Sequence, residues 1–261
     1  MTVSFWKGKR VFLTGHTGFK GGWMAHWLSQ LGSNVYGYGL APPSEPSFFK
    51  ETNLRERLAG STIGDIRNLH QMSNAIKQSK ADIVIHMAAQ PLVRESYNTP
   101  TETFATNVMG TVNLLEAARH TDNVKAIVSI TTDKCYKNME WLWPYRETDT
   151  LGGHDPYSNS KACAELVTSS FRESFFKQLN IGLATARAGN VIGGGDWSED
   201  RLIPDLVRAI HAGKPLEVRS PKATRPWQHV LESLSGYLML GQRLLNEDKP
   251  FADAWNFGPD R

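Results

Sequence analysis

The apolar positions of the chain fall into two kinds of run that take turns. Lys9 to Thr14, Asn34 to Tyr38, Ile83 to Met87, Val124 to Ile130 and Ile181 to Ala186 are short and nearly continuous. Parallel strands covered on both faces need such runs. Between them lie longer stretches with apolar residues three and four apart: Phe19 to Leu31, Asn68 to Ser79, Thr101 to His120 and Tyr157 to Phe176. That is the spacing of a helix with one buried face. Another short strand ends near Gly64. The alternation predicts an α/β fold, a Rossmann-type doubly wound parallel sheet. A flavodoxin-like fold shares the pattern, so motifs must separate the two.

The rhythm changes after Arg187. Gly189 to Asp200 is rich in glycine, Ile203–His211 and Leu231–Leu245 read as helices, and Trp255–Phe257 reads as a strand. We therefore read residues 1–188 as a dinucleotide-binding domain and 189–261 as part of a smaller substrate-binding lobe. With 40% hydrophobic and 21% charged residues, the chain can bury a sizeable core. A net charge of +3 is too small to call for nucleic acid or a membrane surface, though it suits an anionic substrate. Cys135 and Cys163 fit neither a metal site nor a disulfide framework, so no metal is expected. Neither a signal peptide nor an apolar run of transmembrane length is present, which reads as cytoplasmic.

Gly15, Gly18 and Gly21 follow the first strand and open the first helix. Residues without Cβ let the backbone turn tightly and approach a pyrophosphate, which then faces the positive end of the helix. The spacing is one residue wider than the usual dinucleotide fingerprint. At the end of the second strand, Tyr38-Gly39-Leu40-Ala41-Pro42 carries no acid to hold ribose hydroxyls and no arginine for a 2′-phosphate. That position leaves NAD and NADP undecided. Asp65 has two readings, a contact to adenine with Ile66 or a cap on the next helix.

Tyr157 and Lys161 are four apart, on one face of a predicted helix. An ammonium that lowers a phenol by about three pKa units stabilises the phenolate by roughly 4 kcal/mol, enough to make it a base. Thr132 stands at the carboxyl end of a strand, where open α/β sheets bind ligands. Asp133 and Lys134 follow it. Asp133 could protonate a departing hydroxyl if burial raised its pKa, and Lys134 could act as a base if its own were lowered. A surface ion pair is the alternative.

The stretches Gly15-x-x-Gly18-x-x-Gly21 and Tyr157-x-x-x-Lys161 resemble the extended short-chain dehydrogenases/reductases. His86-Met87-Ala88-Ala89-Gln90, Asn107-Val108-Met109-Gly110-Thr111 and Arg187-Ala188-Gly189-Asn190-Val191 match further motifs of that family. Within it, Thr132-Asp133-Lys134 is similar to the branch of nucleotide-sugar 4,6-dehydratases acting on CDP-glucose; a related branch has glutamate in place of the lysine. The resemblance implies NAD as cofactor, held by Gly15, Thr17, Gly18, Phe19, Lys20, Gly21, Asp65, Ile66, Ala88, Ala89, Gln90, Asn107, Tyr157 and Lys161. It implies a CDP-glucose substrate bound by Gln90, Asn190, Arg201 and Arg225, with Thr132, Asp133, Lys134, Tyr157 and Lys161 catalytic. The product would be a 4-keto-6-deoxy sugar, in deoxysugar and O-antigen (lipopolysaccharide) biosynthesis.

The resemblance further implies a homodimer or homotetramer paired through Thr101–His120 and Tyr157–Phe176. It also implies C-terminal elements of the substrate lobe beyond Arg261. An epimerase or simple oxidoreductase of the same family, or a non-catalytic dinucleotide-binding protein, are the competing readings. Trp141 to Tyr145 reads as a lid, a subunit contact, or aromatic packing on the core edge.

Overall fold

The structure, a computed structural model, describes residues 3–259; the chain end at Arg261 lies outside them. Strand β1 (Arg10–Thr14) leads into helix α1 (Phe19–Gln30), then β2 (Asn34–Gly39), a short α2 (Phe48–Glu51) and β3 (Gly60–Ile63). Helix α3 (Leu69–Ser79) and β4 (Ile83–His86) follow. Helix α4 (Val93–Asn98) comes next, and the stretch read as a helix from Thr101 to His120 is α5 (Pro100–Phe104) and α6 (Gly110–Arg119), joined by a wide π turn over Ala105–Met109. Pro100 opens α5 and separates it from α4, since it has no N–H and starts a helix well.

Next come β5 (Ala126–Ile130), a 3-10 turn at Asp133–Cys135, α7 (Pro156–Phe171) with a π turn to Phe176, and β6 (Gly182–Ala188). The final pieces are β7 (Val191–Ile192), α8 (Leu202–His211), β8 (Gln228–His229), α9 (Val230–Leu245) and β9 (Ala254–Phe257).

Seven strands form one parallel sheet in the order β3-β2-β1-β4-β5-β6-β9. Alternate residues along each strand feed opposite cores, as a period of two requires. Val11, Leu13, Ile83, Ile85, Ala126, Val128, Ala184 and Ala186 face α1 and α9, packing on Met24, Leu28, Leu234 and Leu238. Phe12, Val84, Ile127 and Leu183 face the other way, toward Met72, Ile76, Leu114 and Leu115 of α3 and α6. The doubly wound sheet thus has the arrangement that its continuous apolar runs predict.

One boundary is different from the sequence reading. Residues 230–257 do not stay in the smaller lobe: α9 packs into the main core, and β9 pairs with β6 as the seventh strand. The part that stands apart is the excursion over 189–229, with its own two-stranded β7–β8 pair. An apolar helix face and a closing strand look the same in sequence whichever sheet they join. No helix among the described residues is long and apolar enough to cross a membrane.

Candidate active site

Strand β1 lies between β2 and β4, the point where chain direction across the sheet reverses. Ligands of open α/β sheets bind in the crevice at such a point. There Gly15 adopts φ +77°, and a Cβ on it would sit 2.8 Å from the backbone nitrogen of Ala88. A Cβ on Gly21 would sit 2.1 Å from the carbonyl oxygen of Gly15. Both positions admit only glycine without a shift of backbone. No side chain caps the start of α1, where Gly18 is the N-cap, so the helix end offers its N–H groups and dipole to an anion.

The floor of this crevice is a chain of hydrogen bonds. The Thr14 hydroxyl accepts from the backbone N–H groups of Met87 and Ala88, both at 3.1 Å, and lies 2.7 Å from Nδ1 of His86. The hydroxyl therefore donates to Nδ1, which leaves the proton of the neutral ring on Nε2, facing Thr111 at 3.3 Å. Burial and the Lys161 charge hold His86 neutral, at about 3. Thr17 ties the turn to the loop after β2 by donating to the Leu40 carbonyl at 2.8 Å. The Phe19 ring lies beside Gly193 of the excursion.

Lys20 shows what the sequence could not. Its amine reaches α9 and donates to the Tyr237 hydroxyl at 2.7 Å, with the tyrosine ring 4.8 Å away. Burial, with the charges of Arg201 and Lys161, pulls it down to about 7. Tyr237, fully buried, was not a sequence candidate; it lies 217 residues from its partner, with no motif to mark it.

Asp65 does not cap α3. That role falls to Asn68, whose side chain accepts from Gln71 N–H at 3.0 Å. The Asp65 carboxylate instead accepts from Arg67, whose hydrogen bonds hold it below the usual range. Ile66 is buried under Gly110. Ala88 and Ala89 line the exit of β4, half-buried.

Asn107 is a strut. Its amide donates to the Gln90 carbonyl and to Ser160 Oγ of α7, and its oxygen accepts from Gln90 N–H, all within 3.0 Å. Both of its donors are spent on protein, as are those the Gln90 side chain gives to Leu92 and Thr103.

At the end of β5, Thr132 caps the 3-10 turn. Its hydroxyl accepts from Lys134 N–H at 3.3 Å and donates to Asp133 at 3.0 Å. Helix α7 starts alongside, capped by Asp155 with Pro156 in its first turn. This sets Tyr157 in the first turn and Lys161 one turn later, both buried. Burial raises the Asp133 carboxyl and lowers the Lys134 amine, the directions that an acid and a base require. The Lys134 ammonium stands 6.0 Å from the centre of the Tyr157 ring.

The phenol itself departs from expectation. Burial pushes Tyr157 up to about 12, against a hydrogen bond with Thr132 that pulls it down. Lys161 does not offset this, because it is itself buried, pulled down to about 8, and donates to the Ile130 carbonyl at 3.3 Å. In the protein alone, desolvation of the phenolate outweighs the neighbouring charge.

The excursion brings its residues to the same end. Arg201 pairs with Asp196 at 2.8 Å, and its charge acts on Lys20, Lys134 and Tyr157. Arg225 acts on Asp133 and Lys134, while its guanidinium donates to the Thr224 carbonyl at 3.0 Å. The carbonyl of Asn190 accepts from Gln228 N–H, closing the β7–β8 pair. Trp141 to Tyr145 packs on itself and the core edge: Tyr145 stacks on Tyr136 at 5.0 Å and Trp141 lies 5.2 Å from Tyr145, with Leu142 and Trp143 left exposed.

A sequence model of the GDP-mannose 4,6 dehydratase family matches residues 12–254. The chain belongs to this family. It is thereby an extended short-chain dehydrogenase/reductase, as its glycine turn and Tyr157–Lys161 pair imply. The chain is 56% identical to the CDP-glucose 4,6-dehydratase of Salmonella typhimurium (strain LT2), over 98% of its own length and 72% of that protein's. A UDP-glucose 4-epimerase of Pisum sativum is 25% identical over 97% of the chain and 77% of that protein. In fold, the family member superposes on a dTDP-glucose 4,6-dehydratase of Streptomyces venezuelae, solved with NAD bound, with a TM-score of 0.82 and 22% identity. That match covers 95% of this chain and 75% of the other.

Proposed function

We propose that the protein is a CDP-glucose 4,6-dehydratase, an NAD-dependent lyase that yields CDP-4-keto-6-deoxyglucose. The observation that carries this is the cluster of buried Thr132, Tyr157 and Lys161 with half-buried Asp133 and Lys134, beside a glycine cradle open to a pyrophosphate. Identity of 56% to a CDP-glucose 4,6-dehydratase supports the same substrate. The crevice fits NAD because side chains are excluded at Gly15 and Gly21, where phosphates must approach the backbone. Gly15, Thr17, Gly18, Phe19, Lys20 and Gly21 would hold the pyrophosphate side, Asp65 and Ile66 the adenine side, and Ala88, Ala89 and Gln90 the nicotinamide side. Asn107 would act at one remove, through Gln90 and Ser160.

NAD, when bound, supplies a hydride acceptor for carbon 4 and returns that hydride to carbon 6. As phenolate, the form that the positive charge of a bound nicotinamide would favour over the protein alone, Tyr157 would take the carbon-4 hydroxyl proton, with Thr132 orienting the alcohol. The ketone so formed acidifies carbon 5, and Lys134 removes its proton and returns one there when the hydride adds to carbon 6. Asp133, whose carboxyl burial pushes up, gives a proton to the departing carbon-6 hydroxyl. Asn190, Arg201 and Arg225 would hold the nucleotide, the planar guanidinium forks suiting a diphosphate.

An epimerase needs no acid to expel a hydroxyl, so Asp133 beside Lys134 favours the dehydratase. The product suits deoxysugar biosynthesis in the cytoplasm. Exposed Met109, Leu166 and Phe175 on α7 and the π turns, with Leu179 just after them, support pairing with a second copy.

The test is a panel of CDP-, dTDP-, UDP- and GDP-glucose offered with NAD, following the near-ultraviolet absorbance that keto sugars develop in alkali. CDP-glucose should give the highest kcat/KM. Equal rates on all four would remove the CDP assignment, and a C4-epimer product would replace the dehydratase by an epimerase.

A further inference from the structure

Helix α7 carries a third buried polar residue in line with the two already described. Glu165 follows Lys161 by four residues and Tyr157 by eight, so all three share one face. That face closes on the end of β5 residue by residue. Tyr157 lies beside Thr132, Lys161 donates to the Ile130 carbonyl, and the Glu165 carboxylate accepts from the Thr131 hydroxyl. The other Glu165 oxygen accepts from Thr185 Oγ1 at 2.7 Å and from Arg187 Nη2 at 2.9 Å, both on β6. Glu165 and Arg187 are 3% and 4% exposed. Arg187 is fixed in turn by donating to the Tyr136 hydroxyl at 2.7 Å and the Glu147 carbonyl at 2.9 Å.

A carboxylate taken out of water is costly unless it is matched, and here two hydroxyls and a guanidinium match it. Such a site does more than hold a helix to a sheet. The groups facing Lys161 are Tyr157 and Glu165 on its own helix, Cys135 after β5, His86 at the end of β4, and Lys20 on α1. The Cys135 thiol is pushed up to about 12 and His86 down to about 3, so both are neutral near pH 7. Among these groups, Glu165 supplies the negative charge.

We propose that Glu165, clamped by Arg187, Thr131 and Thr185, is a positioning residue for the redox step: it fixes the turn of α7 over β5 and keeps Lys161 an ammonium. This rests on the Tyr157–Lys161 chemistry proposed above and extends it by one helical turn. Lys161 is drawn down by burial, and Glu165 is the largest influence pushing it back up.

The test is Glu165→Gln, which keeps the shape and removes the charge. Losing a nearby anion disfavours the charged amine, so the alkaline limb of kcat for CDP-glucose moves to lower pH by on the order of one unit. The Lys161 ε-carbon resonance in 13C-lysine-labelled protein moves with it, while KM changes little. Glu165→Asp, which keeps the charge, restores both titrations.

A folded Glu165→Gln protein whose limb and Lys161 resonance titrate as in the wild type overturns the proposal, whatever its loss of stability. If Glu165→Gln does not fold, the double variant Glu165→Gln/Arg187→Gln removes both charges and leaves neither buried alone. Arg187 is not among the groups acting on Lys161, so the same downward shift is expected, and its absence is the overturning result. Should the wild type not turn over CDP-glucose, the proposed function fails, and the Lys161 resonance still decides the role of Glu165.

Discussion

Gly21→Ala is the sharpest test of the glycine cradle. The new Cβ would stand 2.1 Å from the Gly15 carbonyl oxygen and 2.7 Å from its carbon. Ordinary contact begins near 3.5 Å, so the turn and the first turn of α1 must separate by on the order of 1 Å. Overpacking of this kind costs about 1–3 kcal/mol, partly offset by roughly 1 kcal/mol because alanine is the better helix former. Net folding stability should thus fall by no more than about 2 kcal/mol.

The bound anion loses more. Displacing one hydrogen bond to a charged phosphate forfeits about 1.5–3 kcal/mol, roughly a ten- to hundredfold weaker Kd for NAD. Titration calorimetry with NAD, alongside urea unfolding, separates the two effects. Gly194→Ala is the control, since nothing lies within 4 Å of a Cβ there. Wild-type NAD affinity in Gly21→Ala would mean that the cofactor does not rest on this turn.

Three further outcomes follow from the same geometry. Tyr157→Phe should abolish turnover of CDP-glucose while NAD affinity by calorimetry stays within a fewfold of wild type; turnover at the wild-type rate would displace Tyr157 as the redox base. Arg187→Met strands the Glu165 carboxylate in the core and should lower stability by about 3–5 kcal/mol in urea unfolding; a loss under about 1 kcal/mol would mean the pair is not buried as described. Lys20 titrates near 7 in the fold against an ordinary lysine value of 10.5, so the unfolded chain holds the extra proton between those values. Raising pH through that window therefore favours the fold, and Lys20→Met should flatten the rise in stability between about pH 7 and 10. An unchanged slope would show that Lys20 is not desolvated.

Much of this fold is legible in the sequence because its strands are buried on both faces. Runs such as Ile83 to His86 have no polar side to confuse them with an exposed hairpin. The glycine turn and the Tyr157–Lys161 pair are legible too, as each is local. What escaped has a common physical cause, dependence on partners far along the chain. Tyr237 meets Lys20 only because α9 returns beneath α1, and β9 joins the main sheet only because β6 has a free edge. The raised phenol of Tyr157 is likewise invisible in spacing, because desolvation depends on everything packed around the ring. Asp65 as a cap was a local reading that lost to another local residue, Asn68, three positions on.

The segment over 189–229 leaves the central sheet from β6 and comes back through α9 to β9, the strand beside β6. Both of its anchor points are therefore rigid and adjacent. A stretch tethered this way can lengthen or be rewritten at small entropic cost, about 0.6 kcal/mol for each doubling, without disturbing the register of the strands that carry the glycine turn. If Asn190, Arg201 and Arg225 hold the nucleotide as proposed, selectivity for one head group can drift while the hydride machinery stays put, and chimaeras that exchange only this stretch between relatives would alter substrate range.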